Sequence, residues 1–131
     1  MTDVHVVVPD GIDDPARPSG GNAYDRRVCG GLAALGWTVH EHPIADAFPQ
    51  LGAAGHAALA RALERVPDGA VVLLDGLIAS AAPEALARVV ADRLADRARA
   101  GALGDGARDL DALVVTLRES HVAWASYERP L

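Results

Sequence analysis

The run Val4-His5-Val6-Val7-Val8 is apolar except for one imidazole and closes at Pro9, the pattern of a central strand covered on both faces. Residues 10–19 then hold Asp, Gly and Pro without periodicity, and Ser19-Gly20-Gly21-Asn22 opens a helical pattern. Strand, glycine loop and helix in that order commit a chain to a parallel sheet with crossover connections. They also leave backbone N–H groups at a helix start, where an anion can sit.

The rest of the sequence continues the alternation. Asn22 is placed as an N-cap, with Tyr24, Val28, Leu32 and Leu35 on one helical face and Gly36 at the end. Gly30 and Gly31 inside that helix predict close packing on the sheet, since each otherwise costs about 1 kcal/mol against Ala. Residues 37–44 read as a second strand, and residues 51–66 as a helix burying Leu59, Ala62, Leu63 and Val66 before the Pro67-Asp68-Gly69 stop. A third strand spans 70–74. Pro83 begins a helix whose stripe is Leu86, Val89, Val90 and Leu94, with Arg88, Asp92, Arg93, Asp96 and Arg97 on the solvated side. After a glycine-rich turn at 101–109, residues 113–117 read as a fourth strand and 122–127 as a short fifth.

This pattern predicts an α/β fold: a small Rossmann-like three-layer domain spanning 1–131, with a mainly parallel sheet of four or five strands in the order 2-1-3-4. Ligands then bind outside the carboxyl ends of strands one and three, where Asp10, the Gly20-Gly21-Asn22 turn and Asp75-Gly76 collect.

Composition narrows the function classes. A chain of 131 residues can bury a core without staples, and no apolar run approaches the roughly 18–20 residues of a membrane span. The acidic start Met1-Thr2-Asp3 lacks the features of a secretory signal, and the single cysteine, Cys29, fits a reducing compartment, so the cytoplasm is expected. A net charge of −6 argues against a general nucleic-acid binder. All 12 basic residues are Arg, which excludes Schiff-base lysine chemistry and a P-loop lysine.

Among candidate site residues, Gly20, Gly21 and Asn22 allow either phosphate contact or a plain loop with a cap, because the motif is neither G-x-G-x-x-G nor a P-loop. Asp75, at a strand end, either holds a sugar hydroxyl or caps the next turn. His40 and His42 share a strand face, but no third ligand lies near in sequence, so no metal site is assigned. Cys29 reads as a packed thiol. Glu119 and His121 form the acid–imidazole pair of the C-terminal part. The sequence singles out no catalytic residue and no cofactor.

The segments V-H-V-V-V-P-D, P-S-G-G-N-A-Y-D-R-R-V, L-A-A-L-G-W-T-V-H and V-V-L-L-D-G-L-I-A-S, between residues 4 and 82, resemble the N-terminal domain of family-four glycosyltransferases of the two-Rossmann-domain (GT-B) type. The resemblance implies an acceptor-side half with Gly20 and Gly21 toward a donor nucleotide-sugar and Asp75 in the cleft. The family's second domain, with most nucleotide-sugar contacts, has no counterpart here.

From about residue 84 the likeness changes. A-L-A-R-V-V-A-D-R-L and V-T-L-R-E-S-H-V-A-W-A-S-Y-E resemble the C-terminal end of the 6-pyruvoyl and 6-carboxy tetrahydropterin synthases, which implies that Glu119 anchors a pterin ring through two hydrogen bonds. That family's zinc histidines and nucleophilic cysteine are not matched by His40, His42 or Cys29. The chain therefore reads as a composite with a seam near Pro83. Three functions follow: a glycosyltransferase-like domain that binds a sugar or phosphate without a complete transfer site, a pterin-binding synthase-like protein, or a stable domain with no activity.

Overall fold

The computed structural model describes residues 2–45, 48, 50–118 and 124–131 and divides into two compact units, Met1–Ala81 and Ala82–Leu131.

The first unit runs β1 (Asp3–Pro9), α1 (Gly20–Ala34), β2 (Thr38–Ile44), α2 (Ala53–Glu64), β3 (Val71–Leu74) and α3 (Gly76–Ala81). Its sheet has the order β2-β1-β3 with both pairings parallel, Val4 lying between Val39 and Val71 and Val6 between Glu41 and Leu73. The apolar run of β1, interrupted only by His5, is thus explained by its central place. Val4, Val6 and Val8 pack with Cys29 and Leu32 of α1, with Ile12, Trp37 and Val39 around them. The return from β2 passes β1 to reach β3, so right-handed crossovers put α1 and α2 on opposite faces. Leu59, Ala62, Leu63 and Val66 are all buried, as their spacing predicts. Pro43 is tolerated because β2 is an edge strand.

The ends of α1 show what the local sequence does. Ser19, not Asn22, is the N-cap: its Oγ accepts the Asn22 N–H at 3.0 Å, so Gly20 and Gly21 form the first helical turn. Asn22 instead donates from its amide to the Arg17 carbonyl at 3.0 Å. At the far end Gly36 takes φ +85°, and the Gly36 and Trp37 N–H groups close on the Ala33 and Leu32 carbonyls at 3.0 and 3.1 Å. This left-handed stop is the role the sequence assigned to Gly36.

The buried face of α1 differs from the expected stripe. Tyr24 is 68% exposed and Leu35 77%, whereas Asp25 and Cys29 are buried. The helix is rolled so that Asp25, Cys29 and Leu32 face the sheet, and the wide apolar set 24, 28, 32, 35 only half overlaps that line. Gly30 and Gly31 do not mediate close packing either. Both are exposed, and a Cβ on either meets nothing within 4 Å.

The second unit contains α4 (Pro83–Arg99), a 3₁₀ turn (Asp105–Asp109), β4 (Ala112–Arg118) and β5 (Trp124–Pro130). β4 and β5 pair antiparallel, Thr116 facing Ser126 with their hydroxyls 2.5 Å apart. The expected mainly parallel sheet of four or five strands in the order 2-1-3-4 is therefore corrected. Three strands are parallel, and the last two form a separate pair. The five residues between β4 and β5 suffice for an antiparallel return but not for a parallel crossover, which takes a dozen or more.

α4 packs on this pair through Ala87, Ala91, Ala95 and Ala98, all buried, rather than through Leu86, Val89, Val90 and Leu94. Small residues spaced four, four and three apart let the helix approach the strands closely, and this places the larger apolar side chains on its flanks. Asp92, expected on the solvated face, lies 2.8 Å from Arg129 Nε of β5 as an ion pair without hydrogen-bond geometry. Among the described residues, no helix is long and apolar enough to cross a membrane.

Candidate ligand-binding site

The winding of the first unit reverses at β1: the chain leaves it toward β2 and returns beyond it to β3. Such a reversal separates the loops that leave two adjacent parallel strands and opens a crevice at their carboxyl ends. Here a cavity of about 720 Å³ lies there, lined by Pro9 and Asp10 after β1, Arg17, Pro18, Ser19 and Asn22 before and in α1, Ala45 and Phe48 after β2, and Leu77 after β3.

The loop that borders it is built from local turns. Gly11, at φ +77°, accepts the Asp14 N–H at 3.0 Å, and Asp14 in turn accepts the Arg17 N–H at 3.0 Å on its carbonyl and the Ala16 N–H at 2.9 Å on its carboxylate. These bonds carry Arg17 to the crevice rim, where its side chain is 69% exposed and stands 3.8 Å from Asp14. The bond from Asn22 to the Arg17 carbonyl ties the loop to the helix.

Arg26 secures the other side of the loop. It donates to Asp13 at 2.8 and 2.6 Å and to Glu41 at 2.6 and 3.1 Å, joining loop, helix and β2. Nothing in the sequence spacing of Asp13, Arg26 and Glu41 announced this three-way contact.

The rim carries both signs of charge, Asp10 and Arg17 among its lining residues, with Arg17 paired to Asp14. Ser19 occupies the Asn22 N–H through Oγ and the Ala23 N–H through its carbonyl at 3.2 Å. The N–H groups left without a partner by helix geometry are therefore those of Gly20 and Gly21. A Cβ on Gly20 would meet nothing within 4 Å, and one on Gly21 only Ser19 Oγ at 3.7 Å, so no side chain crowds this end. The positive end of the helix dipole and the Arg17 guanidinium act on the same crevice.

Of the two roles open to Asp75, a hydroxyl contact or a cap, the geometry shows the cap. Its Oδ1 accepts the Leu77 N–H at 2.8 Å and the Ile78 N–H at 3.4 Å, capping α3, and its own N–H donates to the Val7 carbonyl at 2.9 Å. It lines a second cavity, of about 240 Å³, with Val6, Tyr24, Asp25, Val28, Leu73, Leu74 and Gly76. Asn22 thus lines the first crevice, Gly20 and Gly21 adjoin that lining in sequence between Ser19 and Asn22 without forming part of it, and Asp75 lines the second.

Asp25 is the residue the sequence reading missed. It is 8% exposed, and its carboxyl is pushed up to about 6, first by burial and then by the adjacent charge and hydrogen-bonding contact of Asp75. Its signal was positional: a carboxylate four residues before Cys29 stands on the line that faces the sheet.

The two strand histidines gain a neighbour. His5 stacks with both His40 and His42, ring centroids 4.7 and 5.2 Å away, and its Nδ1 is 2.9 Å from His42 Nε2. The rings lie face to face rather than converging on a point. Among the described residues no group of three or more His, Cys, Asp or Glu is arranged to hold a metal. Burial raises the Cys29 thiol above its ordinary value, with Glu41 adding to the effect, which suits a packed side chain. Glu119 and His121 lie outside the described residues.

No family model, curated protein or solved structure matches the chain.

Proposed function

We propose that the first unit is a glycosyltransferase-like, acceptor-side Rossmann unit that binds a phosphate-bearing or sugar ligand at the Gly20-Gly21-Asn22 turn, without a complete transfer site in this chain. The observation that carries the reading is the crevice of about 720 Å³ at the carboxyl ends of a parallel sheet, bordered by an uncrowded helix start and Arg17. Asp75, on the neighbouring cavity, contributes by holding α3 rather than by direct contact.

Titration of the whole chain with a uridine diphosphate sugar, followed by backbone amide shifts, tests this. Gly20, Gly21 and Asn22 are expected to shift saturably, and Arg17→Ala to weaken binding about tenfold, the loss of one charge-assisted contact. Saturable shifts elsewhere only, or none at millimolar ligand, overturn the reading.

A second reading concerns Ala82–Leu131. The antiparallel β4–β5 return is the observation that favours a pterin-synthase-like tail. Here Glu119 binds the aminopyrimidine edge of a pterin. Neopterin binding that is lost in Glu119→Gln supports it; equal binding by the variant rejects it.

A further inference from the structure

We infer that the cavity beside α1 and β3 is a binding site for a small organic ammonium group, received by the Asp25 and Asp75 carboxylates with its alkyl part against Val28, Leu73 and Leu74. The cavity holds about 240 Å³, enough for an amine of a few carbons and smaller than a drug-sized pocket. Its remaining wall is Val6, Tyr24 and Gly76.

The starting observation is an unmet need. Asp25 is more than nine-tenths buried, and while it and Asp75 are both ionised its Oδ2 has no hydrogen-bond donor, since Asp75 can then only accept. The neighbouring Asp75 is itself a carboxylate, and its Oδ1 is already committed to the backbone of α3. No Arg lines the cavity; Arg26, the nearest along α1, is turned to Asp13 and Glu41. Burying an ionised carboxylate beside another without a cation is strongly unfavourable.

Three species can satisfy the pair. A proton does so only in acid, because Asp25 keeps one up to about pH 6 and is largely ionised above it. A calcium ion calls for six to eight oxygen ligands, but Val6, Val28, Leu73 and Leu74 surround the two carboxyl groups, and among the described residues no third metal ligand joins them. An alkylammonium meets both halves of the site: its N–H groups donate to the two carboxylates, and its stem covers the apolar wall. Tyr24 adds an aromatic ring at the rim, a surface favourable to cations. The titratable groups that line the cavity are Asp25, Asp75 and Tyr24.

This site takes a ligand of opposite charge to the one proposed at Gly20 and rests on different residues, so either can fail alone.

The experiment titrates n-butylammonium into the whole chain, with glucosamine and calcium as parallel arms, and follows backbone amide shifts at pH 7.5 and pH 5.0. Saturable shifts at Val28, Leu73, Leu74 and Gly76 are expected at pH 7.5. Binding should be about tenfold weaker at pH 5.0, where ligand and proton compete for Asp25. Asp25→Asn, confirmed as folded by its amide spectrum, should abolish binding. Glucosamine binding at the same residues would identify an amino sugar as the source of the ammonium; its failure, with butylammonium bound, would leave a simple alkylamine. Absence of saturable butylammonium shifts at pH 7.5, unchanged binding by Asp25→Asn, or calcium saturating the same residues at lower concentration than butylammonium would overturn the inference.

Discussion

His5 Nδ1 stands 2.9 Å from His42 Nε2 across the β1–β2 pairing, so one nitrogen donates a proton and the other must be free to accept it. The contact exists only while at least one ring is neutral. His40 also stacks with His5, and Arg65 adds positive charge near His42. Burial, followed by His5, His40 and Arg65, holds the His42 pKa below its ordinary value of 6.5.

Acid should therefore weaken the first unit through His42 and strengthen it through Asp25. A depressed histidine supplies stability that is complete above its unfolded value of 6.5 and is lost as pH falls through the folded value. Asp25, raised from 3.8 to about 6, behaves oppositely: its contribution is complete below 3.8 and lost as pH rises through about 6. Urea unfolding of Asp25→Asn between pH 4 and 8 should show the histidine loss unmasked in acid. At pH 7.5 the same variant should be more stable than the parent by about 1–2 kcal/mol, because a buried charge beside Asp75 is gone. A variant that matches the parent at every pH would contradict the Asp25 assignment.

Glycine substitutions in and after α1 should have opposite signs. Gly30→Ala and Gly31→Ala, at exposed helical positions with open space around the new Cβ, should each add about 0.5–1 kcal/mol. Gly36→Ala, at φ +85°, should cost about 1–2 kcal/mol through left-handed strain. Thermal melts of the three single variants give the comparison.

Removal of the Arg26 guanidinium should loosen the loop more than it lowers global stability. The pairs with Asp13 and Glu41 are partly exposed, so Arg26→Met is expected to cost about 0.5–1.5 kcal/mol and to matter less in high salt. Hydrogen exchange should quicken around Asp13 and Asp14. Unchanged exchange there would show that the turns at Gly11 and Asp14 hold the loop without it.

Ala91 is fully buried where α4 meets β4 and β5. Ala91→Leu should destabilise the second unit by about 1–3 kcal/mol, since no space exists for the added methylenes. Val90→Leu, on the exposed flank, should be nearly neutral. Denaturation followed by the backbone amide signals of β4 and β5 separates the two.

Much of the candidate crevice was legible because its parts are local. The Val4–Val8 run, the glycine turn and Gly36 each depend on a few neighbouring φ/ψ values and one capping bond. The sequence reading placed Gly20, Gly21 and Asn22 together for that reason, although it gave the cap to Asn22 instead of Ser19. Asp75 was open between a hydroxyl contact and a cap, and the short α3 behind it shows the cap. Asp25 and the Arg26 contacts were not legible, because they depend on how far α1 is rolled against the sheet. Tyr24, Val28 and Leu35 are as apolar as the side chains that face inward, so periodicity alone does not choose between neighbouring faces.

By itself, the sequence determined the order and kind of the main elements, the central strand, the glycine stop and the α2 face, all consequences of short-range sterics and apolar spacing. Tertiary structure decided where the parallel sheet ends, which face of α4 is covered, and that Asp25 meets Asp75 and His5 meets His42. Those outcomes depend on contacts between residues 37 and 50 positions apart, where the geometry of packing selects among faces of similar hydrophobicity.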